Sequence, residues 1–362
     1  MRIAIIGAGI SGITAAYIIK KYDSSIHLDV FEEKENVGGN CADEFNHNGY
    51  LQMYGPHIFH TNKKYIWNYL KKYSDFYLYQ HKVKSYINGE YKQFPFTKNF
   101  IESYDASILQ RINEDNSRFL NAEEYLYYIL GKELTDSFFK NYSEKQWGIP
   151  FNRLPVDVVK RIPIRENNDT RYFSDKYQGI PKIGFTQLLK NICDDIQIKI
   201  KQDKVTFFDL KSKYDLIINT ASVDEFFSNR YSELQYRSVI FKTEIGKNSY
   251  PISVVNYPND YDFTRITEYD YFAPSSWRSL EYPTEQATPS SKKCYPIFWD
   301  TISQKNFNNY TEFAKENNVI LLGRMGLYQY LNIDAAIDVV FNKLTQFNSK
   351  QLAKEIENDI II

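Results

Sequence analysis

The stretch Arg2–Tyr22, "RIAIIGAGISGITAAYIIKKY", reads as a short apolar strand, a glycine turn and a helix. Gly7, Gly9 and Gly12 stand in GxGxxG spacing. In that pattern the first glycine permits the tight turn, the second lets backbone approach a pyrophosphate, and the third packs helix against strand. The spacing alone is a weak signal. Glu32 strengthens it, because it closes the second strand, "IHLDVFEEK", about 20 residues after Gly12, where a carboxylate accepts ribose hydroxyls. The opening is a βαβ unit of a doubly wound α/β fold that holds a dinucleotide.

Immediately after the acid comes "EEKENVGGNCAD". A simple nicotinamide domain does not need a second glycine pair there, and the pattern resembles the extended flavin fingerprint. From about Tyr65 to Arg161 the spacing becomes helical, interrupted by the hairpin "VKSYINGEYKQFPF" turning at Asn88 and Gly89. "GFTQLLKNI" reads as a helix, "IQIKIKQDKVTFF" as strands and "YDLIINTAS" as a strand returning to the first domain. The segment from Arg237 to Asp300 alternates β-branched and aromatic residues as an antiparallel sheet does. The end, "NVILLGRMGLYQYLNIDAAIDVVFNKLTQF", reads as a strand, a turn and a closing amphipathic helix. The expected architecture is α/β: a Rossmann-like dinucleotide-binding domain (1–64, 182–232 and 312–362), a mainly helical insertion (65–161) and an antiparallel sheet domain (162–181 and 233–311).

With 44 basic and 45 acidic residues in 362, no overall field recruits nucleic acid or an anionic membrane, so an anionic ligand must be held by local Arg and Lys. No uncharged apolar run reaches membrane-spanning length, and the first strand starts at once, which points to the cytoplasm. Cys41, Cys193 and Cys294 are too few and scattered for a disulfide framework or a zinc site, and no metal is expected.

The ordered motifs "GAGISG", "EEKENVGGNC", "YGPHIFHTN", "YSEKQWG", "KRIPIR", "YFSDKYQGIPKIGFTQ", "TRITEY" and "LLGRMGLYQY" resemble, over nearly the whole chain, those of the UDP-galactopyranose mutases. These are FAD proteins that interconvert pyranose and furanose forms of a nucleotide sugar without net redox change. The resemblance implies that N5 of reduced FAD attacks the anomeric carbon and expels the nucleotide, so that the cofactor supplies the nucleophile and the protein supplies position and electrostatics. It implies that Gly38, Gly39, Asn40, His57, Gly323 and Arg324 join Gly7, Gly9, Gly12 and Glu32 around the flavin, with His60 near its ring. Arg161 and Arg265 match diphosphate-binding arginines, with Arg237 a further candidate. Phe138, Tyr142, Trp147 and Tyr172 match the nucleotide pocket, and Tyr295 and Tyr330 match phosphate-binding tyrosines. A reductant for FAD and a homodimer follow from the same resemblance.

Two positions depart from the family pattern. Arg171 stands where many members have Asn, and Asn332 where many have Asp. Both leave the flavin chemistry intact and put the sugar in question: UDP-galactose first, with UDP-N-acetylgalactosamine, dTDP-fucose or a heptose as alternatives. A flavin oxidoreductase of the amine oxidase type shares the opening residues but not "SEKQWG" or the arginines. A nucleotide-sensing scaffold would bind ligand without isomerising it.

Overall fold

The computed structural model describes residues 1–114, 118–246, 249–285 and 291–358, the side chains of 291 and 292 excepted. Strand β1 (Arg2–Ile6), helix α1 (Ile10–Tyr22) and strand β2 (His27–Glu32) form the expected opening. β1 is the middle strand of a five-stranded parallel sheet. β2 and Ile200–Gln202 lie on one side of it, Leu216–Asn219 and Val319–Leu321 on the other. The strand order therefore reverses at β1, and the glycine turn sits at the carboxyl end of that switch point, where doubly wound sheets bind ligands. Alternate β1 residues serve two cores. Ile3 and Ile5 face α1 and the helices Gly184–Asp195 and Ile333–Lys343, while Ala4 and Ile6 face Phe207, Phe227 and Tyr310.

The second layer is a seven-stranded sheet with the order Ser291–Pro296, Tyr236–Ile245, Trp277–Thr284, Arg265–Glu268, Val254–Asn256, Val83–Ile87, Glu90–Phe94. All its pairings are antiparallel except Val254–Asn256 with Val83–Ile87. The hairpin turns at Asn88 (φ 51°) and Gly89 (φ 84°), the left-handed pair that a two-residue turn needs.

Several boundaries differ from the sequence reading. The hairpin belongs to the sheet, because Val83 and Ile87 bury their side chains in the core that the sheet shares with helix Ala122–Thr135. Helix Lys64–Lys71 places Ile66, Trp67, Tyr69 and Leu70 in the dinucleotide-domain core, so the insertion begins after it. Helix Thr301–Glu316 likewise packs Tyr310 and Ala314 into the other core of that domain. "VTFF" is not strand: Thr206 and Asp209 form a reciprocal capping box that starts a helical turn at Phe207. Ile333–Lys343 is followed by one more helix, Ser349–Asn358, whose Ile356 joins the first core. Among the described residues no helix is long and apolar enough to cross a membrane.

Candidate active site

Backbone proximity shapes the cofactor cavity. Gly7 adopts φ 94°, and its N–H donates to the Phe31 carbonyl at 2.8 Å. A Cβ on Gly9 would touch Gly39 Cα at 3.5 Å, so the two glycine motifs meet as one cradle, joined by the Gly38 N–H to the Ala8 carbonyl at 3.0 Å. No side chain caps α1, which leaves its first N–H groups to an anion. Glu32 is buried; its Oε2 accepts from the Ala8 N–H at 2.8 Å and its Oε1 from the Lys34 N–H at 3.1 Å. The resulting cavity of about 410 Å3 is bordered by every cofactor candidate except Gly12, which lies behind it between α1 and the turn. The sequence reading missed part of the wall: Asp203, Val205, Thr206, Thr220 and Ser222 follow the ends of parallel strands. Their signal was position, not residue type. The glycine cradle, the uncapped helix and the ribose acid fit an extended dinucleotide such as a flavin dinucleotide.

His57 closes the far end. Gln52, itself buried, grips its backbone through His57 N–H to Oε1 (2.8 Å) and Nε2–H to His57 O (3.0 Å). The imidazole Nδ1 lies 2.9 Å from the Gly55 carbonyl, which can only accept, so Nδ1 carries the proton. Burial and then the Arg324 charge push His57 down to about 4, and burial and then the Arg265 charge push His81 down to about 3. From pH 6.5 down to those values the unfolded chain binds protons that the folded chain refuses, so stability falls as pH falls through that window and is fully present above it. A plot of Tm against pH is expected to be shallower in that range for His81→Gln than for the native chain. Parallel curves would show that His81 is not held neutral.

Beyond the cavity, guanidinium and phenol groups gather. Arg161 lies over the rings of Tyr330 (5.0 Å) and Trp147 (5.7 Å), and Arg324 over Tyr330 (4.7 Å). Tyr295 stacks on Tyr330 at 5.8 Å and meets Trp147 edge-on at 5.8 Å. Burial would raise the Tyr330 phenol, but the residue is 38% exposed, and the charges of Arg324, Arg161 and Arg265 hold it below its ordinary value. Tyr142 and Tyr172 are raised by burial against the opposing charges of Arg265 and Arg161. Arg265 donates through Nη2 to Glu281 Oε2 at 2.8 Å; Glu281 is 2% exposed and its Oε1 has no hydrogen-bond partner. Burial would lower the Arg265 guanidinium, and the Glu281 charge reverses that. Trp147, Arg161 and Tyr330 also border a second cavity of about 550 Å3, so this cluster stands between two open spaces.

The remaining candidates make other contacts, Arg237 although its backbone pairs with that of Tyr295. Arg237 does not reach this cluster. Its Nε donates to the Gln146 carbonyl (2.9 Å) and its Nη2 to the Lys145 carbonyl (3.0 Å), while the guanidinium fills the space a Cβ on Gly148 would need. It therefore caps the end of helix Asn141–Trp147, which stops at Gly148 in the left-handed conformation (φ 70°). Arg237→Ala is expected to strand both carbonyls at about 1–3 kcal/mol each, lowering Tm by several degrees in a thermal melt; an unchanged Tm would remove the capping role. Phe138 is core, edge-on to Phe96 at 4.9 Å. Arg171 is held by Asp169 through Nε (3.0 Å) and Nη2 (2.7 Å). Asn332 caps helix Ile333–Lys343 by accepting from the Ala335 N–H at 3.2 Å and lies on the wall of the 410 Å3 cavity. His60 pairs through Nδ1 with Asp175 Oδ2 at 2.8 Å.

A switch-point glycine cradle with a ribose acid, and three arginines gathered around one tyrosine at its far end, define a dinucleotide-binding enzyme of the flavin type that acts on an anionic substrate. Residues 137–330 match the UDP-galactopyranose mutase family model, and 5–73 match an NAD(P)-binding Rossmann-like domain. The chain is 30% identical to a UDP-galactopyranose mutase of Mycoplasma genitalium over 96% of this chain and 95% of that protein. It is also 30% identical to a dTDP-fucopyranose mutase of Escherichia coli over 93% and 95%. Its fold matches a crystal structure of reduced UDP-galactopyranose mutase with a TM-score of 0.75 at 15% identity, over 95% of this chain and 94% of that one. The chain belongs to the UDP-galactopyranose mutase family. It is an isomerase, a flavin-dependent pyranose/furanose mutase.

Proposed function

We propose that the cofactor is FAD, active when reduced, and that the substrate is a pyrimidine nucleoside diphosphate sugar, with UDP-galactose first. The observation that carries this reading is the gathering of Arg161, Arg265 and Arg324 around Tyr330 where the cavity ends. Diphosphate departure needs preorganised positive charge in a site that excludes water, and guanidinium forks supply it. When bound, reduced flavin supplies the nucleophile for the anomeric carbon. The chain's own part is to hold the cofactor phosphates on the α1 amides, orient its ribose with Glu32, and grip the substrate diphosphate with Arg161 and Arg265. Tyr295 and Tyr330 add phenol donors, and Tyr142, Trp147 and Tyr172 face the nucleoside. We place the reaction in the cytoplasm, as three buried free thiols suit a reducing compartment.

The test is anaerobic incubation of dithionite-reduced protein with UDP-galactofuranose, then chromatography for the pyranose form, with oxidised protein as control. Conversion by the reduced form alone supports the reading; oxygen consumption with substrate would instead mark an oxidase. The equal identity to a dTDP-fucopyranose mutase favours dTDP-fucose as the second substrate to try. A diphosphate clamp must open for exchange, so UDP is expected to protect the Lys160–Arg161 segment from trypsin. Equal cleavage with and without UDP would argue that Arg161 does not close on the nucleotide.

A further inference from the structure

Helix Asn141–Trp147 carries two rings of the arginine cluster, Tyr142 and Trp147, and Trp147 borders the 550 Å3 cavity. Arg265 opens the strand Arg265–Glu268 on the other side of the cluster. Its charge is felt by Tyr142, by Tyr330 on the wall of that cavity and by His57 on the wall of the 410 Å3 cavity. Helix and strand are far apart in the chain, and Lys145 ties them together. Its Nζ donates to three carbonyls of the loop that leads into Arg265: Tyr257 (2.6 Å), Tyr261 (2.7 Å) and Phe263 (3.1 Å). Burial lowers this ammonium to about 8, the charges of Asp262 and Asp260 opposing, so at neutral pH it keeps three protons for three carbonyls.

The loop passes this hold on to Arg265. It is closed at its base, where the Tyr257 N–H donates to the Thr264 carbonyl at 2.8 Å. The Thr264 N–H donates in turn to the Glu281 carbonyl at 2.9 Å, and the Glu281 carboxylate accepts from Arg265 Nη2 at 2.8 Å. The start of the helix is clasped to the same loop: Asn141 Nδ2 donates to Asn259 Oδ1 at 2.7 Å, and Asn259 Nδ2 to the Ser137 carbonyl at 3.1 Å. We propose that Lys145 is a positioning residue of the substrate site: it locks the helix of Tyr142 and Trp147 to the strand of Arg265, so that the rings meeting the nucleoside and the guanidinium meeting the diphosphate keep one spacing. This rests on the reading of the cluster as a nucleoside diphosphate site. Such a ligand is gripped at both ends at once, so a drift between the two halves loses one grip or the other, and a misplacement of about 1 Å costs roughly a hundredfold in rate.

The experiment is a double-variant cycle on the flavin-loaded protein, Lys145→Met, Arg265→Lys and the two combined, read by UDP calorimetry and kcat/KM, beside Lys145→Arg and a crystal structure of Lys145→Met. Lys145→Met is expected to lower kcat/KM roughly a hundredfold and UDP affinity with it, flavin content being kept. Lys145→Arg, which keeps the charge and the donors, should recover part of the loss. With Arg265→Lys in place the Lys145 substitution should cost little more, because the fork it positions is already gone. In the crystal the helix should stand away from the 257–264 loop. Additive losses would mean that Lys145 supports the fold without acting through Arg265 and would overturn the proposal, as would native UDP affinity in Lys145→Met or an unmoved helix. The crystal structure reads the clasp without substrate, so failure of the nucleotide reading would appear separately, as a native chain that neither binds UDP nor turns over.

Discussion

Arg265→Ala is expected to lower kcat/KM by roughly a thousandfold or more and to lower Tm in the same variant. Removing one preorganised charged donor from a leaving-group site costs about 10²–10³ in kcat. Here the loss is compounded, because Arg265 is also the partner of Glu281, whose carboxylate is 2% exposed and has no second hydrogen bond. Without the guanidinium that carboxylate stands buried and uncompensated, a situation that costs about 3–5 kcal/mol of stability, and it repels the diphosphate that Arg265 would attract. The two effects separate in a double variant. Arg265→Ala with Glu281→Gln should regain most of the Tm and little of the turnover. Arg265→Lys should restore charge without the fork and remain well below native activity. Wild-type kcat/KM in Arg265→Ala would remove this residue from the diphosphate site.

What could be read from the sequence follows from how local each feature is. The glycine turn, Glu32 and the Asn88–Gly89 hairpin are encoded within a few residues of themselves, and each is found where its spacing put it. The hairpin's destination is not local: nothing in "VKSYI" names Val254–Asn256 as the strand it joins in parallel. Helix Lys64–Lys71 shows an apolar face in its sequence, but not which core receives it. Among site residues, Arg161 and Arg265 stand out through their motifs, while Arg237, a further candidate in a shorter match, turns to two carbonyls instead. A long cationic side chain serves an anion or a helix end equally well, and only the tertiary contact decides. Glu281 was invisible for the converse reason: a carboxylate matters here through the arginine it faces, and that partner lies on another strand.

Gly12→Ala is expected to yield protein that retains no flavin. Gly12 does not need unusual backbone angles, so the constraint is one of contact. A Cβ there would stand 1.9 Å from the Gly7 carbonyl oxygen and 3.1 Å from its carbon. Both are backbone atoms of the turn itself, so no side chain can swing aside. Either α1 lifts from β1 or Gly7 moves, and Gly7 is anchored by its N–H to the Phe31 carbonyl at 2.8 Å. Either displacement takes the first amides of α1 away from the pyrophosphate and disturbs the Gly9–Gly39 contact that shapes the cradle. Overpacking of this kind costs about 1–3 kcal/mol even where neighbours can relax, so Tm should fall as well. The control is Gly89→Asn, at φ 84° in the two-residue hairpin turn with nothing within 4 Å of its Cβ, where the left-handed conformation is one that Asn tolerates; it changes a glycine far from the cofactor turn and should keep its flavin. The measurement is flavin absorbance of purified protein per chain, with circular dichroism to show that the fold survives. A folded Gly12→Ala protein carrying native flavin content would mean that α1 can shift without cost, and that the close packing at the turn is not what holds the cofactor.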